Sequence, residues 1–332
     1  MTRVALMPAR GDPFCLMLAL EFFAKVWFDD VDALDILVNS PIEAEVVDFL
    51  EDRLSDLPKI NFQHQAKAIE HGGALKQLLD QTVEDTVVFL EDDCFILKRG
   101  VVRNYCEMVE RGVEWDMVGS GRNMCDPGLE QAMKQRFKAE RVGFWPCFFF
   151  ARRRDILRTD CHFGSKNFPP GVRIPELDYT PETLQCSDTF TWFSIQMRAL
   201  GMRGLEVEQY RGDENLGAER CPWMHTGAPS GLIEMELKDE RGVPLIRRKV
   251  PGALPPDDTE LHGTPYEIER RLAWATLCVD RFWKEAEPIT EFRDLYKSAI
   301  SRYAARFGLD MARIRGNADR YSDILWALTK VD

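Results

Sequence analysis

TVVFLEDDCFILKRG, residues Thr86–Gly100, is the stretch from which the rest of this chain can be read. Val87, Val88, Phe89 and Leu90 form an unbroken apolar, β-rich run, the pattern of a central strand covered on both faces of a sheet. Three carboxylates follow at once. Glu91, Asp92 and Asp93 therefore stand where the strand leaves the sheet, at the carboxyl edge where open α/β sheets bind ligands. Side chains alternate along an extended chain, so Glu91 and Asp93 are expected on one side and Asp92 on the other. Acidic residues can end a strand simply as a solvated turn. At the mouth of a buried strand, however, like charges repel, and a cation or a basic partner is what neutralises them. Oxygen donors of this kind suit Mg²⁺ or Mn²⁺, ions that commonly bridge to substrate phosphates.

The 332 residues suffice for one large domain or for a domain with an appendage, and a hydrophobic content of 45% supplies a core. A net charge of −12 and a pI of about 5.1 speak against a surface that coats nucleic acid. The basic clusters are short: Arg152 to Arg154, and Arg247, Arg248 and Lys249. Nine cysteines without CxxC spacing read as reduced thiols of a cytoplasmic protein. The apolar run from Phe14 to Leu20 is cut by Glu21 and Lys25 with no cleavage site after it, so it reads as helix rather than signal peptide. No run approaches the length of a membrane span.

Upstream of the acidic strand, Val4 to Met7 reads as a strand, Pro8 to Pro13 as a loop, and the residues to about Trp27 as a helix, the opening of an α/β domain. A second strand, Asp35 to Val38, runs into Asn39-Ser40-Pro41 and a helix over about 42–54. A short strand near Ile60 to Phe62 precedes a helix opened by Gly72 and Gly73, with Leu75, Leu78 and Leu79 on one face. Glycines there permit the backbone to approach a phosphate at a helix N-terminus. Lys76, one turn on, either reaches a diphosphate or faces solvent.

Downstream, Trp115 to Val118 and Phe148 to Ala151 read as further strands. Trp145 either stacks on a sugar or belongs to the core. Residues 159–186 are rich in proline and glycine, as in a long functional loop of the lid type. That loop leads into a helix whose Phe190, Phe193, Met197 and Leu200 share a face, with Ser187 or Asp188 as its cap and Gly201 as its C-terminal stop. His225 follows Trp223 in CPWMHTGAPSG. A hairpin around Glu240 to Gly242 and a proline-rich linker, Pro251 to Thr264, come next. The tail is helical, with Ile268, Leu272, Ala275, Val279 and Phe282 on one stripe and Tyr321, Ile324 and Leu328 on another. These stripes pack either on the preceding domain or on a second copy of the chain in a homodimer.

Glycine pair, helix, buried strand and acidic triplet, in that order, resemble the DxD region of glycosyltransferases with the GT-A fold, family 2 in particular, over about residues 1–231. The resemblance implies a Rossmann-like mixed sheet flanked by helices, with residues 232–332 as a helical C-terminal extension. It implies a nucleotide-diphosphate sugar as donor, a UDP-sugar favoured, and an acceptor glycan or other hydroxyl compound. Glu91, Asp93 and His225 would hold Mn²⁺ or Mg²⁺. Pro8, Arg10, Asn39, Gly73, Lys76 and Asp92 would line the donor site, with Asn39 standing where the family often has a base-reading aspartate. Trp145 and Trp223 would face the acceptor. Asp188 would be the catalytic base of an inverting reaction, with Ser187 in place of the usual glutamate; as a plain helix cap it would have no such role. A nucleotidyltransferase acting on sugar phosphates, or a non-catalytic nucleotide-sugar-binding protein of the same fold, would use similar carboxylates.

Overall fold

The computed structural model describes residues 1–10, 12–39, 42, 44–209, 223–226 and 265–329. The hairpin and the proline-rich linker expected between 232 and 264 lie outside the described residues. Strand and helix alternate at first: β1 (Arg3–Ala9), α1 (Pro13–Phe22, continued by a π-helical turn over Phe23–Trp27), β2 (Ala33–Val38), α2 (Ala44–Leu54), β3 (Ile60–His64), α3 (His71–Gln81) and β4 (Thr86–Leu90). Next come β5 (Cys94–Ile96), α4 (Val101–Arg111), β6 (Met117–Gly121), α5 (Pro127–Phe137), β7 (Phe144–Arg152) and the short α6 (Arg153–Ile156). β8 (Lys166–Phe168), β9 (Gln185–Ser187), α7 (Thr191–Ala199), β10 (Gly204–Glu206) and β11 (Trp223–His225) follow. The helices α8 (Pro265–Arg281), α9 (Thr290–Arg306) and α10 (Met311–Thr329) close the described chain.

Seven strands form one sheet in the order β10-β6-β7-β4-β1-β2-β3. β3, β2, β1 and β4 run parallel, β7 is antiparallel to both β4 and β6, and β10 is parallel to β6. The sheet is therefore mixed and flanked by helices, as expected. β4 is wholly buried because its two faces meet two different cores. Val88 and Leu90 join α1, α4 and the C-terminal helices, while Val87 and Phe89 join α3 and α7. A strand with apolar layers on both sides needs no polar alternation, which accounts for the run VVFL.

The C-terminal helices share the first of these cores. Ile268, Leu272, Ala275 and Val279 of α8 are buried with Phe14 and Leu18 of α1. Trp274 stacks between Phe95 and Tyr321, at 5.9 and 4.7 Å. The stripe thus packs within the chain, while the side chains of Ile324 and Leu328 lie outside the described residues. Residues 159–186, read as a loop, carry two short paired strands and a core of their own, in which Phe168, Ile174 and Leu177 pack with Leu129 and Met133 of α5 and Trp192 of α7. Prolines excluded long elements there but not apolar packing. Among the described residues, no helix is long and apolar enough to cross a membrane.

Candidate functional site

β4 ends at Leu90, and the chain turns through Glu91, Asp92 and Asp93, with the Cys94 amide donating to the Glu91 carbonyl at 3.0 Å. β5 then pairs antiparallel with β11 in the register Cys94↔His225 and Phe95↔Met224. The Thr226 amide donates to the Asp93 carbonyl at 3.0 Å, locking the end of this small ladder. Pairing of two remote segments therefore delivers His225 to the acidic turn.

His225 Nε2 lies 3.1 Å from Asp93 Oδ1 and 3.3 Å from Glu91 Oε2. One donor atom from each of these three side chains falls within 4.8 Å of the other two. His71, the first residue of α3, reaches Glu91 Oε1 from the other side at 3.2 Å. Burial opposes a charge on His225, but Asp93 and Glu91 outweigh it and push the imidazole up to about 9. Burial likewise opposes the Glu91 charge, yet hydrogen bonds from His225 and His71 hold it well below the ordinary carboxylate range. Asp92 differs: burial first, then the Asp93 charge, drives its pKa well above the usual value. Asp12 is also raised by burial, against the hydrogen bonds it accepts. Four buried or nearly buried carboxylates thus converge here, and an added cation lowers their mutual repulsion.

The donor set fits Mn²⁺ or Mg²⁺. Carboxylate oxygens suit both ions, and the imidazole tilts the set toward Mn²⁺. In an octahedron with ligands at about 2.1 Å, adjacent ligands lie about 3 Å apart, close to the nitrogen–oxygen separations at His225.

Asp92 points away from this triad and binds the first loop. Its Oδ2 accepts from the Arg10 amide at 2.9 Å, and its carbonyl accepts from Cys15 Sγ at 3.4 Å. β1 pairs with β4 only as far as Leu6↔Phe89 but follows β2 to Ala9↔Val38. Pro8, which has no amide hydrogen to give, sits where the β1–β4 ladder has already ended. Asp12 Oδ1 caps α1, accepting from Phe14 and Cys15 amides at 2.9 and 3.1 Å. Its Oδ2 accepts from the Tyr296 hydroxyl of α9, so a C-terminal helix holds the loop beside the site.

Asn39 is spent on structure at the end of β2: Nδ2 donates to the Ile69 carbonyl at 2.9 Å and Oδ1 accepts the Ile69 amide at 3.0 Å. Gly72 and Gly73 lie inside the first turn of α3, behind the cap residue Glu70. A Cβ on Gly72 would fall 2.1 Å from the Gly164 nitrogen, so this glycine admits the backbone of residues 163–164 rather than a phosphate. A Cβ on Gly73 would meet only the Ile69 side chain, at 3.6 Å or more. Lys76 pairs with Asp80 on the exposed face of α3. Trp223 is fully buried and stacks on Phe148 at 4.5 Å, which makes its ring core packing.

Neither Ser187 nor Asp188 caps α7. That helix begins at Thr191 behind Phe190, whose left-handed φ of 71° turns the chain inward. Asp188 is exposed; its Oδ1 accepts from the Thr189 amide and lies 3.5 Å from Ser165 Oγ, on the α3 side of the sheet. The Ser165 amide in turn donates to Glu70, next to His71. Ser187 is fully buried.

On the other side of His225, toward β6 and β7, a cleft of about 700 Å³ opens. Trp145 forms part of its wall, its ring 4.6 Å from His225 and capped by the Arg122 guanidinium at 4.1 Å. Arg270 and Arg271 of α8 line the same cleft. His71, Asp12, Arg122, Arg270 and Arg271 were not singled out from sequence. His71 had a signal, as one of five histidines placed directly before the glycine pair. The arginines had none, since surface arginines abound and only folding groups these.

No protein-family model matches the chain, and no curated protein matches it. Solved structures resemble it at a distance. S. aureus TarS 1-349 in complex with UDP-GlcNAc aligns over 99% of this chain and 82% of its own, at 9% identity and a TM-score of 0.44. The mannosyltransferase PcManGT from Pyrobaculum calidifontis, in complex with GDP-Man and Mn²⁺, aligns over 99% and 81%, at 10% identity and a TM-score of 0.43. S. aureus TarS 1-349 alone aligns over 49% and 50%, at 12% identity and 0.36. In this and two other alignments to TarS, half or less of the neighbour's length is spanned. Likeness at this level identifies no activity for this chain.

Proposed function

We propose that the chain is a metal-dependent glycosyltransferase, moving a sugar from a nucleotide-diphosphate donor, a UDP-sugar first among candidates, to an acceptor hydroxyl with inversion. The observation that carries this is the meeting of Glu91, Asp93 and His225 at the carboxyl edge of β4, between the β1–β2 loops and an open cleft. Mn²⁺ or Mg²⁺ held by these three side chains would screen the donor's diphosphate and favour its departure. Pro8, Arg10 and Gly73 border the nucleotide, and Asp92 holds the Arg10 peptide in place for it. Asp188, open to solvent, takes the acceptor hydroxyl proton as the oxygen bonds to the anomeric carbon. The bond from that carbon to the diphosphate breaks, its electron pair leaving on the diphosphate. General-base help of this kind is worth about 10²- to 10⁴-fold.

A panel of nucleoside diphosphates and nucleotide sugars tests this by thermal shift, with and without Mn²⁺, on wild type and Asp93→Asn. A rise in Tm that needs both the metal and Asp93 supports the donor site. No metal-dependent response to any nucleotide would sink the reading, and release of pyrophosphate instead of a nucleoside diphosphate would convert it to a nucleotidyltransferase.

A further inference from the structure

The amino edge of the sheet, opposite the acidic turn, carries groups that no step at the turn uses. Thr86 of β4 pairs with Arg3 of β1 and with Arg152 of β7, and Met117 of β6 pairs with Ala151 of β7 and Gly204 of β10. The segments just outside these residues therefore close one end of the sheet, about 17 Å along β4 from Glu91. Of the eight large apolar side chains exposed among the described residues, five stand here: Met1, Val83, Val113, Leu157 and Leu200. A pocket of about 180 Å³ lies among them, between Val83, Leu157 and the arginines Arg152, Arg153 and Arg154. Arg152 is committed to Asp116 and Asp155. Among the described residues, Arg153 and Arg154 form no ion pair within 4.0 Å, and Arg153 Nε is buried without an acceptor. The carboxylates across the pocket are engaged elsewhere: Glu84 Oε2 accepts from the Thr82 hydroxyl and the Val83 amide, and Asp85 Oδ2 accepts from the Thr2 amide.

We propose that this edge is a docking surface for an anionic lipid bilayer, with a lipid phosphate at Arg153 and Arg154 and the aliphatic side chains around them seated where headgroups meet acyl chains. Guanidinium forks match phosphate oxygens, bidentately and at full charge. Apolar burial and attraction to anionic lipid add at such a surface, so exposed aliphatic tips beside unneutralised arginines suit it. The chain as a whole carries a net charge of −12 and is repelled by a negative surface, which leaves an edge with spare cations as the place of approach. A protein partner would favour a contiguous apolar core depleted in charge. Here the apolar tips are set apart by the strand spacing, over the three steps from β4 to β10 and so about 14 Å, and have arginines between them. Lipids conform to such a surface where a rigid partner would leave gaps. Docked this way, the acidic turn at the opposite edge stays open to water, and the inference is independent of the reaction performed there.

The test is co-sedimentation of the full chain with vesicles of phosphatidylcholine alone and of phosphatidylcholine mixed with phosphatidylglycerol. The mixed vesicles should carry the protein down, and the neutral ones should not. Arg153→Gln with Arg154→Gln should weaken binding about fivefold per arginine. Arg154 is exposed, so Arg154→Gln alone should show its fivefold at an unchanged Tm, which keeps the test valid if the double variant folds poorly. Val83→Ser with Leu157→Ser should weaken binding as well, whereas Val172→Ser, at an exposed valine on the loop after β8, should leave it unchanged. Equal binding to both kinds of vesicle, or binding to neither, would overturn the proposal. Inorganic phosphate that raises the Tm and displaces the protein from the mixed vesicles would make the pocket a site for a soluble anion instead. A wild-type dimer in sedimentation equilibrium that Leu157→Ser dissolves would assign the edge to a second copy of the chain, and the lipid reading would fall.

Discussion

Replacing Tyr296 by phenylalanine removes a single hydroxyl from the junction between the C-terminal helices and the loop after β1. Tyr296 is 1% exposed and donates to Asp12, itself fully buried. The ring would stay packed on Phe14 at 5.0 Å, so almost no cavity opens. What is lost is a hydrogen bond to a buried carboxylate, about 1.5–3 kcal/mol. Unfolding entropy of about 2.1 cal/mol/K per residue over 332 residues converts this to a fall in Tm of about 2–4 °C. Asp12 caps α1 and stands two residues from Arg10, whose amide binds Asp92, so the variant should also bind the nucleotide more weakly. Scanning fluorimetry on Tyr296→Phe, Asp12→Ala and the double variant provides the assay. The cycle should show a coupling of about 1–3 kcal/mol, within the range for residues in contact. An unchanged Tm in Tyr296→Phe with no coupling would refute the idea that α9 holds the loop.

Gly72→Ala and Gly73→Ala should part company: the first drives a Cβ into the Gly164 backbone and should cost about 1–3 kcal/mol or more, while the second should gain up to about 1 kcal/mol of helix propensity. Equal denaturant midpoints for the two would contradict the packing described here. Mn²⁺ at about 100 times its Kd should stabilise the protein by about 2.7 kcal/mol, an effect reversed by a chelator and missing in Asp93→Asn; persistence of the shift in that variant would place the ion elsewhere. Asp188→Asn should lose about 10²- to 10⁴-fold in kcat with donor binding intact, and near-normal turnover would exclude Asp188 as the base. Burial opposes the charge on Glu110, but the Arg3 guanidinium holds its carboxyl below the ordinary value of 4.5. A depressed carboxylate stabilises above its unfolded pKa and loses that contribution as pH falls through the folded one. Tm followed downward from about pH 5 should therefore fall more steeply in wild type than in Arg3→Gln, and parallel curves would count against the pair.

The acidic strand was legible because its signal is local. An apolar run with no polar alternation has few places to go other than a doubly covered strand, and its carboxylates then stand at the sheet edge whatever the rest of the chain does. The stripes of α3 and α8 were legible for the same reason, since side chains at helical spacing share a face before any tertiary contact exists. Where expectation and structure part, a competing contact explains it. Gly72 suggested a phosphate loop, but a glycine serves equally where two backbones touch, and Gly164 is the one that touches it. Asp188 suggested a cap, but Phe190 in the left-handed region started α7 later. Asn39 suggested a nucleotide contact, and its amide instead clamps the Ile69 peptide.

By itself, then, the sequence determined the α/β class, the central place of β4, the acidic turn at its end and the helical tail, because periodicity and strand chemistry act within a few residues. Tertiary structure alone decided which distant groups meet that turn. The β5–β11 ladder brings in a segment 133 residues away to set His225 on Glu91 and Asp93. Packing of α8 and α9 on α1 carries Arg270 and Arg271 to the cleft and Tyr296 to Asp12. Such meetings depend on strand pairing and on the burial of whole faces, which are properties of the assembled layers and leave no mark in the spacing of the residues they unite.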